Sequence, residues 1–437
     1  MRLLAGRLRR PSDDRIQECR QWDIVHPSSI ENMRRCVQWY LPIGKARVVD
    51  LGAMNVNGSY RELLPAPTEY VGVDLEQGPG VDVVLTDVHR LPFEEGSIDI
   101  VMSGQMLEHC GQFWRIFSEI YRVLAPDGLA FMIAPSAGPV HRFPVDCYRF
   151  FADSFPALAE WSGLRLVHTW TDERGPWRDV VGVFQKGGSL QPVTAPRPMK
   201  VAANARQEAH PDPAVEVQAG ARPYLDVLRD LHALVDPSLY LEIGVRKGAS
   251  LSLAACPAIA IDPDPHPDLA IANEAVQFYR CTSDDFFFFG AQAFRTPVDL
   301  AFIDGMHLAE YVYRDFMNIE RVMGPGGIVV IDDIMPNHPI QASRERLSQV
   351  WTGDVWRFAD RLASERPDLR LTRLDAAPTG LLIISGLDPA NRSWWSDYNP
   401  KMRQLTDEAG APPPDHVLSR RDALPPTLEN LRAAIGQ

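Results

Sequence analysis

Residues 298–323 read VDLAFIDGMHLAEYVYRDFMNIERVM, and the fold turns on how this stretch changes period. The opening run VDLAFI is short and almost wholly apolar, which suits a buried strand. It stops at Asp304 and Gly305, and His307 follows three positions after the acid. From Leu308 onward apolar residues recur at helical spacing, which predicts a helix over 308–323. A buried strand feeding straight into a helix is half of a strand–helix–strand unit, and such units build parallel sheets.

Working outward, the same grammar fills two segments. The second holds LYLEIGV (239–245), AIAIDPD (258–264), VQFYRCTS (276–283), VDLAFIDG and GGIVVIDDI (326–334), and GLLIISGLD (380–388) closes it. The first holds ARVVDLG (46–52), EYVGVDL (69–75), VDVVLTD (81–87), IDIVMSG (98–104) and GLAFMIAP (128–135), followed by LRLVHTW and DVVGVFQK. A helical pattern over 106–124 stands in the first segment where 308–323 stands in the second. Short all-apolar strands alternating with helices imply a mostly parallel sheet covered on both faces. The expected architecture is α/β, with two doubly wound, Rossmann-like, mostly parallel sheets joined by a Pro/Ala-rich linker. The expected boundaries are an N-terminal helical extension over 1–44, a first domain over 45–188, a linker over 189–221, a second domain over 222–390 and a tail over 391–437.

Bulk properties narrow the class. A chain of 437 residues is too long for one ordinary core. No stretch approaches the roughly 18–20 apolar residues that span a bilayer. The opening MRLLAGRLRRPSDDR is basic but lacks the apolar core of a signal peptide. Cys19, Cys36, Cys110, Cys147, Cys256 and Cys281 form no C-x-x-C pair, so neither a zinc site nor a disulfide framework is expected. The expectation is a soluble, reduced, cytoplasmic protein. Its formal net charge of −13 repels polyphosphates and argues against a nucleic-acid partner.

In open α/β sheets, ligands bind beyond the carboxyl ends of the strands. In the first segment Asp50, Gly52 and Gly58 follow one strand, Asp74 ends the next, and Asp87 with Val88 follows the third. The dinucleotide fingerprint G-x-G-x-x-G is absent, so a pyrophosphate loses its usual cradle. An acid ending the second strand suits a ribose diol, and several acids together suit a cationic ligand such as a sulfonium cofactor. The alternative is that each acid is a cap or turn residue.

This segment resembles class I S-adenosylmethionine-dependent methyltransferases, on VVDLGAMNVNGS, YVGVDL, TDVHRLPFEEGSIDIVMSGQMLEH and RVLAPDGLAFMIAP. The resemblance implies that Asp50 and Gly52 hold the amino-acid end of the cofactor. It places Asp74 at the ribose and Asp87 with Val88 at the adenine, with Gln105 and His109 after the fourth strand. Met54 stands where the family often has a second glycine. In APSAGPVHRFPVDCYRF (134–150), His141, Asp146 and Tyr148 either face an acceptor or form a structural loop.

In the second segment neighbouring strand ends lie about 5 Å apart, so Asp304 should meet Asp332 and Asp333. Three unpaired carboxylates repel and raise one another's pKa values, and a divalent cation removes that penalty. All-oxygen ligation suits Mg²⁺, Mn²⁺ or Ca²⁺. A neutral His307 beside a metal-bound hydroxyl can take its proton. The alternative is that Asp304 caps the following helix and His307 is exposed in its first turn. YLEIGVRKGAS, IDGMH and GGIVVIDDIMP resemble metal-dependent sugar O-methyltransferases of the macrocin O-methyltransferase and cephalosporin-hydroxylase-like group. That resemblance implies Asp304, Asp332 and Asp333 as metal ligands and His307 as general base. It also puts Glu242 and Gly244 at the cofactor's amino-acid end and Asp262 at its ribose, while Ser283 and Asp284 after the third strand complete the expected cofactor set. The function this implies is tandem methyl transfer, the second half acting with Mg²⁺ on a hydroxyl of a sugar or glycosylated small molecule. One rival is a single catalytic half beside a cofactor-binding or scaffolding half. A second is a nucleotide-binding oxidoreductase, which the missing glycine fingerprint disfavours.

Overall fold

The computed structural model describes residues 26–437 except 43, 56–57, 197–208 and 291–292. The basic opening, Cys19 and part of the expected linker lie outside the described residues. The chain divides into two units, Met1–Val193 with Trp395–Asn399 and Thr194–Trp394 with Pro400–Gln437.

The first unit holds seven strands: β1 (Arg47–Leu51), β2 (Glu69–Asp74), β3 (Val83–Val84), β4 (Ile98–Gly104), β5 (Leu124–Pro135), β6 (Arg165–Thr171) and β7 (Asp179–Gln185). They form one sheet in the order β3-β2-β1-β4-β5-β7-β6. The first five strands run parallel, and β7 pairs antiparallel with both β5 and β6. Phe117, Ile120 and Val123, on one face of the helix Phe113–Val123, pack with Val49, Met132 and Phe184 of the sheet. Each large apolar side chain removed from water in this way contributes roughly 1.5–3 kcal/mol.

The second unit repeats the plan. Its strands are β8 (Arg222–Pro223), β9 (Tyr240–Ile243), β10 (Ala258–Ile261), β11 (Val276–Tyr279), β12 (Val298–Ile303), β13 (Met323–Ile331), β14 (Arg370–Leu374), β15 (Ala376–Ala377) and β16 (Leu381–Ser385). The main sheet has the order β11-β10-β9-β12-β13-β16-β14, and β8 pairs with β15 separately. Here too the last two strands are antiparallel. Leu228 and Leu231 of the helix Tyr224–Val235 pack with Tyr240, Phe302 and Ile383. The helix Leu428–Ile435 adds Leu431 to the same core, its start capped by Thr427, whose Oγ1 accepts from Asn430 N.

Two expectations about helices change. The 106–124 pattern is a short turn at Leu107–His109 followed by the helix Phe113–Val123. Gly111, a poor helix former, lies in the break. The helix expected over 308–323 spans Ala309–Glu320. Among the described residues no helix is long and apolar enough to cross a membrane.

Candidate active site

In the second unit, pairing continues one residue past the strand ends. Gly244 N donates to Ile261 O (2.9 Å), Asp304 N to Ile243 O (2.8 Å) and Asp332 N to Ile303 O (3.1 Å). The loops after β9 and β12 press together so closely that a Cβ on Gly244, whose φ is +87°, would collide with the Asp304 carbonyl. Only glycine fits there.

Asp304, His307 and Asp333 converge at this rim. His307 Nε2 lies 3.2 Å from Asp304 Oδ1, and its Nδ1 lies 3.0 Å from Asp333 Oδ2. Nδ1 also lies 2.9 Å from the Trp351 carbonyl, and the ring stacks on Trp351 at 5.0 Å. His307 (φ 56°) and Asp333 (φ 64°) both adopt the left-handed conformation, which costs about 1–3 kcal/mol per non-glycine residue and is typical of functional sites. Asp332 is buried, and its Oδ1 accepts from Asp333 N (2.8 Å) across the strained turn. Its carboxyl is held well above the usual range by burial, then by Asp333 and Asp304. Burial also raises Asp304, against the pull of His307. Burial alone would lower His307, but Asp333 and Asp304 outweigh it and the imidazole is held well above its ordinary value.

The cap alternative for Asp304 does not hold. Leu308 occupies the cap position, and Ala309 N donates to Asp354 Oδ1 (2.8 Å). The donors of Asp304, His307 and Asp333 lie within 4.8 Å of one another, a set that fits a divalent cation. Asp332 is not in that group, although it borders it.

The remaining expected residues of this unit have internal partners. Glu242 is buried; its Oε2 accepts from Tyr240 OH (2.8 Å) and its Oε1 from Ser250 Oγ (2.7 Å). Burial pushes it up to about 8. Asp262 accepts from Val245 N, Arg246 N and Asp264 N, and so shapes the loop after β9. Asp284 pairs with Arg314 (2.9 Å), and Ser283 opens the helix Ser283–Phe289.

The first unit repeats part of this scheme. Asp50 Oδ2 accepts from Tyr70 OH (2.6 Å), its Oδ1 is buried without a partner, and burial raises it to about 7. Gly52, with φ +83°, donates its N–H to Val73 O. Asp74 accepts from Met54 N (3.0 Å) and Leu75 N (2.6 Å), the same grip on the first loop that Asp262 provides. The Met54 side chain lies so close over Gly78 that a Cβ there would collide with its sulfur. Asp87 accepts from His89 N, and Val88 is exposed. Gln105, left-handed at φ 60°, donates to Asp179 Oδ1 (2.8 Å). His141 N and Arg149 both donate to Asp146, and Tyr148 OH donates to Gly111 O. His109 and His141 meet edge to face at 4.7 Å beside Glu108.

Sequence reasoning missed Glu108 and Trp351. Glu108 lies inside the 106–124 helical pattern, and nothing in its spacing marks it. Trp351 lies far along the chain, and no local pattern ties it to His307.

Comparison with known proteins gives two family-model matches, both described as a methyltransferase domain: Methyltransf_11 over residues 53–132 and Methyltransf_24 over 241–334. A phthiotriol/phenolphthiotriol dimycocerosates methyltransferase of Mycobacterium tuberculosis is 34% identical over 104 residues, covering 19% of this chain and 38% of that protein. An uncharacterized methyltransferase of Mycobacterium sp. is 38% identical over 71 residues, covering 14% and 28%. The chain thus spans well under half the length of these curated relatives. Among solved structures, a Burkholderia thailandensis 1,6-didemethyltoxoflavin-N1-methyltransferase with bound S-adenosylhomocysteine is similar at TM-score 0.31 and 16% identity, covering 42% of this chain and 94% of that one. A SAM-dependent methyltransferase from Aquifex aeolicus has TM-score 0.29 and 14% identity, covering 39% and 96%. Each seven-stranded unit of this chain therefore carries a segment that matches a methyltransferase-domain model.

Proposed function

We propose that the chain is an S-adenosylmethionine-dependent methyltransferase with two cofactor-binding units, and that the second transfers methyl to a hydroxyl of a sugar or glycosylated small molecule with help from a divalent cation. The observation that carries this reading is the Asp304–His307–Asp333 cluster at the rim of a sheet whose segment matches a methyltransferase-domain model. Asp304 and Asp333 would hold the cation, which when bound acidifies a coordinated hydroxyl. Glu242 would face the cofactor's amino-acid end, and Asp262 keeps the first loop shaped around it. S-adenosylmethionine, when bound, would supply the methyl group from a sulfonium centre, with the thioether as the leaving group that keeps the C–S electron pair. Asp333 and Asp304 favour the protonated imidazole; a cation that neutralised them would remove that bias, and His307, with its Nδ1–H oriented by the Trp351 carbonyl, would then accept the hydroxyl proton at Nε2.

A second reading is favoured by the short approach of Nε2 to Asp304. With Nδ1–H donated to Trp351, Nε2 and Asp304 Oδ1 oppose lone pairs unless a proton or a cation lies between them. His307 is then a third ligand. Cation titration separates the two roles, because His307→Ala leaves affinity unchanged if His307 is the base and weakens it if His307 is a ligand. The function itself is tested by mass spectrometry of candidate glycans incubated with the chain, labelled cofactor and Mg²⁺. Label on a hydroxyl is expected only with the cation present, and equal transfer under chelation sinks the metal mechanism.

A further inference from the structure

The first unit carries a second cluster that the methyl-transfer reading leaves unused. Glu108 is 0% exposed, and neither carboxylate oxygen has a hydrogen-bond partner. A buried carboxylate without a donor costs several kcal/mol, so a proton or a cation must sit beside it. Two imidazole nitrogens face it: Nε2 of His109 at 3.6 Å and Nε2 of His141 at 3.8 Å from Glu108 Oε1. These distances are too long for hydrogen bonds and leave room for an ion between the three atoms.

The surroundings orient both rings. His109 Nδ1 lies 2.5 Å from the Val145 carbonyl and must be its protonated nitrogen, which leaves Nε2 with a free lone pair. His141 Nδ1 lies 3.4 Å from Asp146 Oδ2 without a hydrogen bond between them, and Arg149 pins that carboxylate from two sides. Metal-binding histidines typically give their second nitrogen to a carbonyl or carboxylate, as His109 does here. Trp177 backs the His141 ring at 4.4 Å. Cys147 N donates to Glu108 O (2.7 Å), so the loop after β5 is tied to the turn after β4. The two histidine side chains stay 14% and 12% exposed, so the cluster has an edge on solvent.

We propose that Glu108, His109 and His141 form a site for a divalent transition-metal cation of the zinc class. Two imidazoles and one carboxylate suit such an ion better than Mg²⁺. The solvent edge leaves a further coordination position for an oxygen or nitrogen of a bound molecule. The site stands on the geometry of these side chains and does not depend on methyl transfer by either unit.

The probe is Co²⁺ alone, added to the full chain after chelator treatment. The expected result is a visible absorption band that Zn²⁺ displaces and that Asp304→Asn leaves in place. Glu108→Gln and His141→Gln should each weaken Co²⁺ binding at the band by about 10–100-fold or more. His141→Cys supplies a check that needs no loss of signal: a thiolate at that position should add an intense near-ultraviolet charge-transfer band. No band in the native chain, a band unaffected by Glu108→Gln and His141→Gln, or a folded His141→Cys protein without charge transfer would each overturn the site and leave a proton as the partner of Glu108.

Discussion

The two units share a strand order and diverge at one rim. In both, an acid near the end of the first strand lies against a tyrosine hydroxyl, Asp50 with Tyr70 and Glu242 with Tyr240. In both, an acid after the second strand grips the first loop through backbone amides, Asp74 through Met54 and Asp262 through Val245 and Arg246. Past the fourth strand the likeness ends. The second unit sets Asp304 and His307 against Asp333 from the next strand. The first sets Gln105 against Asp179 and gathers Glu108, His109 and His141. The shared parts shape the first loop, where on the proposed function each unit would hold its own copy of the same cofactor. The divergent parts lie past the fourth strand, so on the proposed function the comparison would separate a common donor site from two different acceptor sites.

The largest expected effect tests that separation. Asp304→Asn should lower methyl transfer by the second unit by roughly 100-fold or more, since several kcal/mol of charge stabilisation is lost. Cofactor bound at the first unit should stay unchanged, as read by labelled-cofactor binding beside the activity assay. Loss at both units, or at neither, would break the comparison.

A middle-sized effect contrasts two glycines. A Cβ on Gly244 meets the Asp304 carbonyl, which is backbone and cannot swing away, whereas a Cβ on Gly52 meets Met106 Cβ at 3.1 Å. Both have positive φ. Gly244→Ala should therefore destabilise its unit by roughly 3 kcal/mol or more and Gly52→Ala by about 1–2 kcal/mol. Chemical denaturation followed unit by unit checks the order, and equal losses would show that the two first loops are not packed differently.

The smallest effect concerns pH. Burial raises Asp50 to about 7 and Glu242 to about 8, so the folded chain keeps protons that the unfolded chain loses near pH 4 to 4.5. Their contribution to stability is complete below that range and is lost as pH rises through about 7 and 8. Asp50→Asn and Glu242→Gln should each flatten the decline, Glu242→Gln to a higher pH. Melting temperatures between pH 5 and 9 measure it, and an unchanged slope in both variants would remove the shared buried acid from the comparison.

Strands were legible because central parallel strands are buried on both faces and read as apolar runs. The place of β7 and β16 between their neighbours was not, since tertiary packing sets the order of an antiparallel pair. The meeting of Asp304 with the Asp332–Asp333 region followed from strand-end spacing. The insertion of His307 between two carboxylates did not, because it depends on the left-handed turns at His307 and Asp333 and on the distant Trp351. Ser283 and Asp284 read as ligand contacts from the strand-end rule alone, yet Arg314 on the next helix already engages Asp284. Glu108 escaped notice because burial of an acid beside a histidine leaves no trace in spacing.

The central claim is that both sheet rims receive the same sulfonium nucleoside. Equilibrium binding of labelled S-adenosylhomocysteine to the full chain tests it most directly. Two equivalents per chain are predicted, and one or none would contradict the claim.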